Sequence, residues 1–132
     1  RKMIEFSHHR RHILVAEDSP INQQLAISLL QQHGYSVTVV NNGQEALLAL
    51  ETRRFDSILM DIYMPSLDGL SAARRIRESE RGLANRVPIV AVTSNDNAAE
   101  CLSAGMDAHL PKPLKAGALR RALAQVLAKT AA

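Results

Sequence analysis

The sequence predicts an α/β fold, a doubly wound parallel sheet of five strands with helices packed on both faces. Three observations lead there. Five short runs rich in β-branched or other apolar residues alternate with five longer stretches of helical spacing. The short runs are apolar nearly throughout rather than on alternate residues, as strands are when both faces are covered. Glycines stand at 34, 82 and 105, where the helical stretches must end, because a residue without Cβ enters the left-handed conformation after a helix without strain. Each strand–helix–strand crossover has to pack back onto its own sheet, which makes the strands parallel.

In order, "ILVA" from Ile13 is the first strand, and the helix after it covers about 20–33, with Pro20 in its first turn and Asp18 or Ser19 as its cap. "SVTVV" is the second strand, followed by a helix over about 44–52. "SILM" is the third, ending against Asp61, with a helix over 69–79. "PIVAV" is the fourth, with a short helix over 98–104, and "AHLP" the fifth, with a last helix over 115–129. A single domain is expected over residues 12–132, preceded by an arm or linker over residues 1–11.

Composition narrows the function classes. The chain is 46% hydrophobic and 22% charged, as in soluble globular proteins, and no apolar run is long enough to span a bilayer. "RKMIEFSHHRRH" lacks the apolar centre of a secretory signal, so a cytoplasmic location without direct membrane contact is expected. The lone Cys101 leaves no internal disulfide and suits a reducing compartment. The net charge of +3 arises in residues 1–12, which hold four Lys/Arg against one acid; the remainder balances. A neutral body lacks the charge for counterion-driven nucleic-acid binding, and "HHRRH" reads as linker rather than as a metal or phosphate site.

In doubly wound sheets, ligands bind beyond the carboxyl ends of the strands. There the sequence places Glu17 and Asp18 after strand one, Asp61 after strand three, Thr93 and Ser94 after strand four, and Lys112 after strand five. Any one of these alone reads as a solvated terminus or a cap; together they make a cluster. Three carboxylates repel one another, and an oxygen-only donor set without paired Cys or His points to Mg²⁺ rather than zinc. A metal beside a carboxylate, with an ammonium and a hydroxyl opposite, is equipment for phosphoryl transfer, Asp61 being the nucleophile and an acyl phosphate the product.

The stretches "ILVAEDSPIN", "SILMDIYMPSLDG", "PIVAVTS" and "GMDAHLPKPL" resemble the receiver domain of two-component response regulators, over about residues 12–129. The resemblance implies a flavodoxin-like (βα)5 fold with strand order 2-1-3-4-5. It implies that Asp61 accepts a phosphoryl group from a phosphohistidine and that Asp18, Glu17 and the carbonyl of Tyr63 join Asp61 in holding Mg²⁺. Thr93 matches the hydroxyl that shifts toward the phosphoryl group, and Lys112, followed by a cis bond to Pro113, the lysine that pairs with it. Tyr63 and Asn95 match positions that govern the approach of hydrolytic water. His109 stands where the family carries Tyr or Phe, and is expected either to act as a rotating, pH-sensitive ring or to lie exposed without a switching role.

"PINQQLAISLLQQHG" is apolar over roughly 240° of its circumference, more than a helix lying on a sheet needs. The surplus falls on the Ile21–Leu25 edge. The resemblance makes Ile21, Asn22 and Leu25, with Pro113 and Leu114, the docking site of the helical histidine donor. The expected partners are a histidine kinase domain and a histidine phosphotransfer domain. "EDSPIN" and "MDIYMPSLDG" are most similar to receivers fused to hybrid sensor histidine kinases; a stand-alone single-domain regulator and a phosphorylation-independent docking module are the alternatives. No substrate turnover independent of a kinase polypeptide is expected, and the sequence assigns no oligomeric state. An aspartate-nucleophile phosphatase needs a second acid where Tyr63 stands, and a dinucleotide binder needs a glycine-rich loop after strand one.

Overall fold

Residues 10–131 are described by a computed structural model. The chain alternates strand and helix: β1 (His12–Ala16), α1 (Pro20–Gln32), β2 (Ser36–Val40), α2 (Gly43–Thr52), β3 (Ser57–Asp61), α3 (Gly69–Ser79), β4 (Ile89–Thr93), α4 (Ala98–Ser103), β5 (Ala108–Pro111) and α5 (Ala116–Ala131). The five strands form one parallel sheet in the order β2-β1-β3-β4-β5. This is the flavodoxin-like arrangement, and its order reverses beside β1, which opens a crevice above β1 and β3.

The central strands β3 and β4 are buried at every residue, as their unbroken apolar sequence requires. Alternate side chains serve opposite faces. Leu14, Ile58, Met60 and Ile89 pack with Ala46, Ala72 and Ile76 on the α2–α3–α4 side. Ile13, Val15, Leu59 and Val90 pack with Ala26, Leu30, Leu119 and Leu123 on the α1–α5 side. The edge strand β2 is only half-buried.

Helix limits follow local chemistry. Ser19 caps α1, with Pro20 in its first turn; Asn42 caps α2, which therefore begins one residue before the expected start, and Asp68 caps α3. Gly34 and Gly105 take positive φ directly after α1 and α4, whereas Gly82 does so in the turn beyond α3, whose last residue is Ser79. Cys101, on the inner face of α4, is buried. Among the described residues no helix is long and apolar enough to cross a membrane. Of the expected arm, residues 1–9 lie outside the described residues, and Arg10 and Arg11 are exposed.

Candidate functional site

Strand ends bring the polar residues together. Asp61 closes β3 beside Val92 of β4, and Thr93, one residue further, is in register with Pro111 of β5. Main-chain bonds fix the segments that leave the sheet: Glu17 N donates to Val40 O (3.1 Å), Ile62 N to Val92 O (3.1 Å) and Lys112 N to Thr93 O (3.0 Å). Glu17, Asp18, Asp61, Thr93 and Lys112 therefore share one rim. The peptide bond between Lys112 and Pro113 is cis.

Asp61 is 2% exposed, and its two oxygens differ. Oδ1 lies 3.1 Å from the Lys112 ammonium and accepts the Tyr63 N–H at 3.2 Å. Oδ2 is buried without a hydrogen-bond partner, a costly state for a carboxylate oxygen unless another group completes it. Glu17, 5% exposed, stands 3.5 Å from the same ammonium and accepts the Ser19 N–H at 3.0 Å. Burial pushes the Glu17 carboxyl above its ordinary value; the Ser19 hydrogen bond opposes this, Asp61 adds to it and Lys112 opposes it. Burial alone would lower the Lys112 ammonium, but its hydrogen bond to Asp61 and the charges of Asp61 and Glu17 outweigh that and hold it above its ordinary value.

One oxygen from each of Glu17, Asp18 and Asp61 lies within 4.8 Å of the others, with Asp18 exposed at the mouth. The donors are all oxygen, one is an unpartnered buried carboxylate oxygen, and three acids face a single ammonium. That set suits a hard divalent cation such as Mg²⁺.

Thr93 turns its hydroxyl toward α4, donating to Asn97 Oδ1 at 3.1 Å while accepting from Asn95 N at 3.1 Å. The Tyr63 side chain is half exposed, and its hydroxyl oxygen accepts from Asn95 Nδ2 at 3.0 Å and Asn97 Nδ2 at 3.4 Å. His109 is exposed on the edge strand β5, in register with Ala91, and among the described residues its ring has no hydrogen-bond partner.

Asn22, Leu25 and Leu114 line a small cleft that reaches Asp61 and Lys112. Leu25 is half-buried, lining this cleft together with Leu114, whereas Ile21 on the same edge stands 82% exposed. Pro113 is exposed beside it.

Two residues escaped the sequence reading. Asn97 joins Thr93 to Tyr63, although an Asn just ahead of a helix reads as an ordinary cap. Gly69 packs against the main chain of Asp61 and Ile62, where a Cβ would lie 2.8 Å from Ile62 Cα. The signal for Gly69 was a glycine in the first turn of a helix, a place with no propensity reason for it.

Among known proteins, the chain is 41% identical over 122 residues to the sensor histidine kinase GacS of Pseudomonas protegens, covering 89% of this chain and 13% of that protein. It is 35% identical over 153 residues to a probable histidine kinase 1 of Oryza sativa, covering 92% of this chain and 16% of that protein. The chain thus spans a small part of the curated relatives it matches. The receiver domain of the sensor histidine kinase PA1611 from Pseudomonas aeruginosa superposes with a TM-score of 0.82 at 42% identity, covering 91% of this chain and 99% of that one; its structure has a magnesium ion coordinated in the active-site cleft. The receiver domain of Saccharomyces cerevisiae Ssk1, crystallised with the histidine phosphotransfer protein Ypd1, superposes with a TM-score of 0.84 at 30% identity, covering 93% of this chain and 92% of that one. The response regulator receiver domain matches residues 13–124, a span that holds the whole sheet from Ile13 onward and all five residues of the rim, and the chain belongs to that family.

Proposed function

We propose that this receiver domain takes a phosphoryl group on Asp61 from a phosphohistidine and passes on its presence by changing what the rim binds. The observation that carries the proposal is the asymmetry of Asp61: Oδ1 is held by Lys112 and Tyr63 N–H, and Oδ2 is left unpartnered. In the transfer, Oδ2 attacks phosphorus in line and the O–P bond forms as the donor's N–P bond breaks. The imidazole leaves with the electron pair and acquires a proton. Glu17, Asp18, Asp61 and the carbonyl of Tyr63 would hold Mg²⁺, which when bound offsets charge on the phosphoryl oxygens. Lys112 supplies a second positive charge at the same oxygens, and Thr93 a hydroxyl donor. Asp61 stays fixed because β3 is buried along its whole length.

The donor is a helical histidine seated over Ile21, Asn22, Leu25, Pro113 and Leu114, where the cleft leads directly to Lys112 and Asp61. The similarity to sensor kinases supports placing this domain in a hybrid sensor histidine kinase polypeptide, with that kinase and a histidine phosphotransfer domain as its partners. His109 is exposed at rest, a setting that suits a ring free to turn inward on phosphorylation as well as one without a switching role.

Incubation with acetyl phosphate and Mg²⁺, followed by phosphate-affinity electrophoresis, tests the proposal. One retarded species is expected, absent without Mg²⁺ and absent in Asp61→Asn. A species that survives Asp61→Asn, or no species at all, would assign the domain to phosphorylation-independent docking.

A further inference from the structure

Asn97 is 8% exposed and occupies the N-cap position of α4, yet it makes no capping hydrogen bond. Ser19, Asn42 and Asp68 cap their helices from extended backbones, each accepting a first-turn N–H. Asn97 has φ −131° and ψ 43°, and its amide is turned away from the helix. Oδ1 instead accepts the Thr93 hydroxyl proton, and Nδ2 donates to Tyr63 OH. The contact thus links the side chains that end β4 and follow β3, both beside Asp61.

A threonine hydroxyl has one proton to give. While Asn97 Oδ1 receives it, no oxygen on Asp61 can. Thr93 is 2% exposed, and its other acceptor at rest, Asn95 O at 3.4 Å, is more distant than Asn97 Oδ1 at 3.1 Å, so letting go of Asn97 leaves a buried hydroxyl poorly satisfied until a better acceptor arrives. A phosphoryl oxygen is a better acceptor than a carboxamide, because a charge-assisted hydrogen bond is about twice as strong as a neutral one. The Thr93–Asn97 bond is therefore stable before phosphorylation and loses to the phosphoryl oxygen afterwards.

We propose that Asn97 is a positioning residue that holds the Thr93 hydroxyl in the resting arrangement and sets the threshold for leaving it. On phosphorylation Thr93 exchanges Asn97 Oδ1 for a phosphoryl oxygen. The freed Oδ1 is then available to the first-turn N–H groups of α4, which lack a side-chain acceptor at rest. The contact held by Tyr63 loosens in the same step. The inference rests on Asp61 as the phosphoacceptor and adds the group against which the phosphoryl oxygen competes.

The test is binding of beryllofluoride with Mg²⁺, a phosphoryl mimic, to the full chain, followed by the side-chain amide resonances or by tyrosine fluorescence. Asn97→Ala is expected to bind about fivefold more tightly than the parent, the worth of one neutral hydrogen bond. In a Thr93→Ala background the same substitution is expected to change binding less than twofold, a dependence that loss of a merely structural cap would not produce. Asn97→Ser, which retains a capping side chain but is too short to reach both partners, is expected to tighten binding like Asn97→Ala, and thermal melts verify that each variant is folded. Equal effects with and without the Thr93 hydroxyl, or weaker binding by folded Asn97→Ala and Asn97→Ser, would overturn the inference alone. Failure of the parent to bind beryllofluoride would overturn the phosphoacceptor reading and this inference with it.

Discussion

Lys112 is the one cation that faces the acidic cluster among the described residues, at 3.1 Å from Asp61 and 3.5 Å from Glu17. Three carboxylates against one ammonium leave two negative charges, the number a divalent ion neutralises. Replacing the ammonium by an uncharged chain of similar length removes its repulsion of the metal but also removes a charge that the phosphoryl oxygens need. Lys112→Met is therefore expected to bind Mg²⁺ on the order of tenfold more tightly, since a unit charge a few ångströms away is worth more than a kcal/mol even near the surface. It is also expected to take up phosphate from acetyl phosphate more slowly. The Mg²⁺ dependence of the unfolding midpoint measures the first effect, and an unchanged dependence would remove Lys112 from the role of resting counterion. At this scale the sequence was most informative for residues whose place on the rim follows from standing at a strand end: Glu17, Asp18, Asp61, Thr93 and Lys112. It was least informative for Asn97, because the same side chain suits a cap and a tertiary bridge, and only the geometry of α4 tells them apart.

The connection between β3 and α3 carries the strictest local demand. Gly69 N donates to Ile62 O at 2.8 Å, which draws the first residue of α3 against the strand that ends in Asp61. A side chain there would push into the Asp61 carbonyl and Ile62 Cα. Gly69→Ala is expected to cost about 1–3 kcal/mol by overpacking and to slow phosphorylation per folded molecule, because relief of the clash moves the nucleophile; denaturant unfolding and acetyl phosphate kinetics on the same sample separate the two. At the other end of the sheet, the start of β1 is pinned by His12. Its Nε2 lies 2.6 Å from Thr38 Oγ1, and its Nδ1 faces the Arg53 guanidinium at 3.1 Å, so the ring is neutral with its proton on Nε2. Burial and the Arg53 charge hold its pKa below 6.5, with Asp56 opposing. Between that lowered value and the ordinary 6.5 the unfolded chain binds more protons than the folded one, so this contribution to stability is complete above 6.5 and is lost as pH falls through the window. His12→Gln is expected to flatten the decline in unfolding free energy between pH 7 and pH 5, measured as the difference from the parent so that Glu17, whose raised value acts with the opposite sign, cancels. Element order and helix caps were legible because each depends on a few consecutive residues. The His12 seam was not, since Thr38 of β2 and Arg53 at the end of α2 reach it from separate elements.

Across the whole molecule, chemistry and anchoring occupy opposite edges of the sheet. The carboxyl edge carries the acids and Lys112. The amino edge is tied by Arg77 at the end of α3, which donates to Glu80 (2.7 Å), to Asp107 (3.0 Å) and to Gly105 O (2.9 Å). Asp107 also receives Arg86 (2.7 Å) and the N–H of Ile89 (2.8 Å), so one carboxylate fastens α3, the start of β4 and the turn before β5. The stretch "GMDAHLPKPL" holds Gly105 and Asp107 but does not show that Arg77, about thirty residues earlier in sequence, closes the clamp on them. Its position separates stability from chemistry. With both partners less than one-fifth exposed, removing the carboxylate leaves Arg77 with only Glu80 and Gly105 O as acceptors and the Ile89 N–H unpaired. Asp107→Ala is expected to lower the unfolding free energy by about 3 kcal/mol, within what a domain of this size withstands. Its phosphorylation rate per folded molecule should match the parent, since no atom of the clamp touches the rim. A rate that falls in proportion to the lost stability, measured where the variant is fully folded, would show that the two edges are mechanically linked through β4 and would move Arg77 and Asp107 from anchoring into signalling.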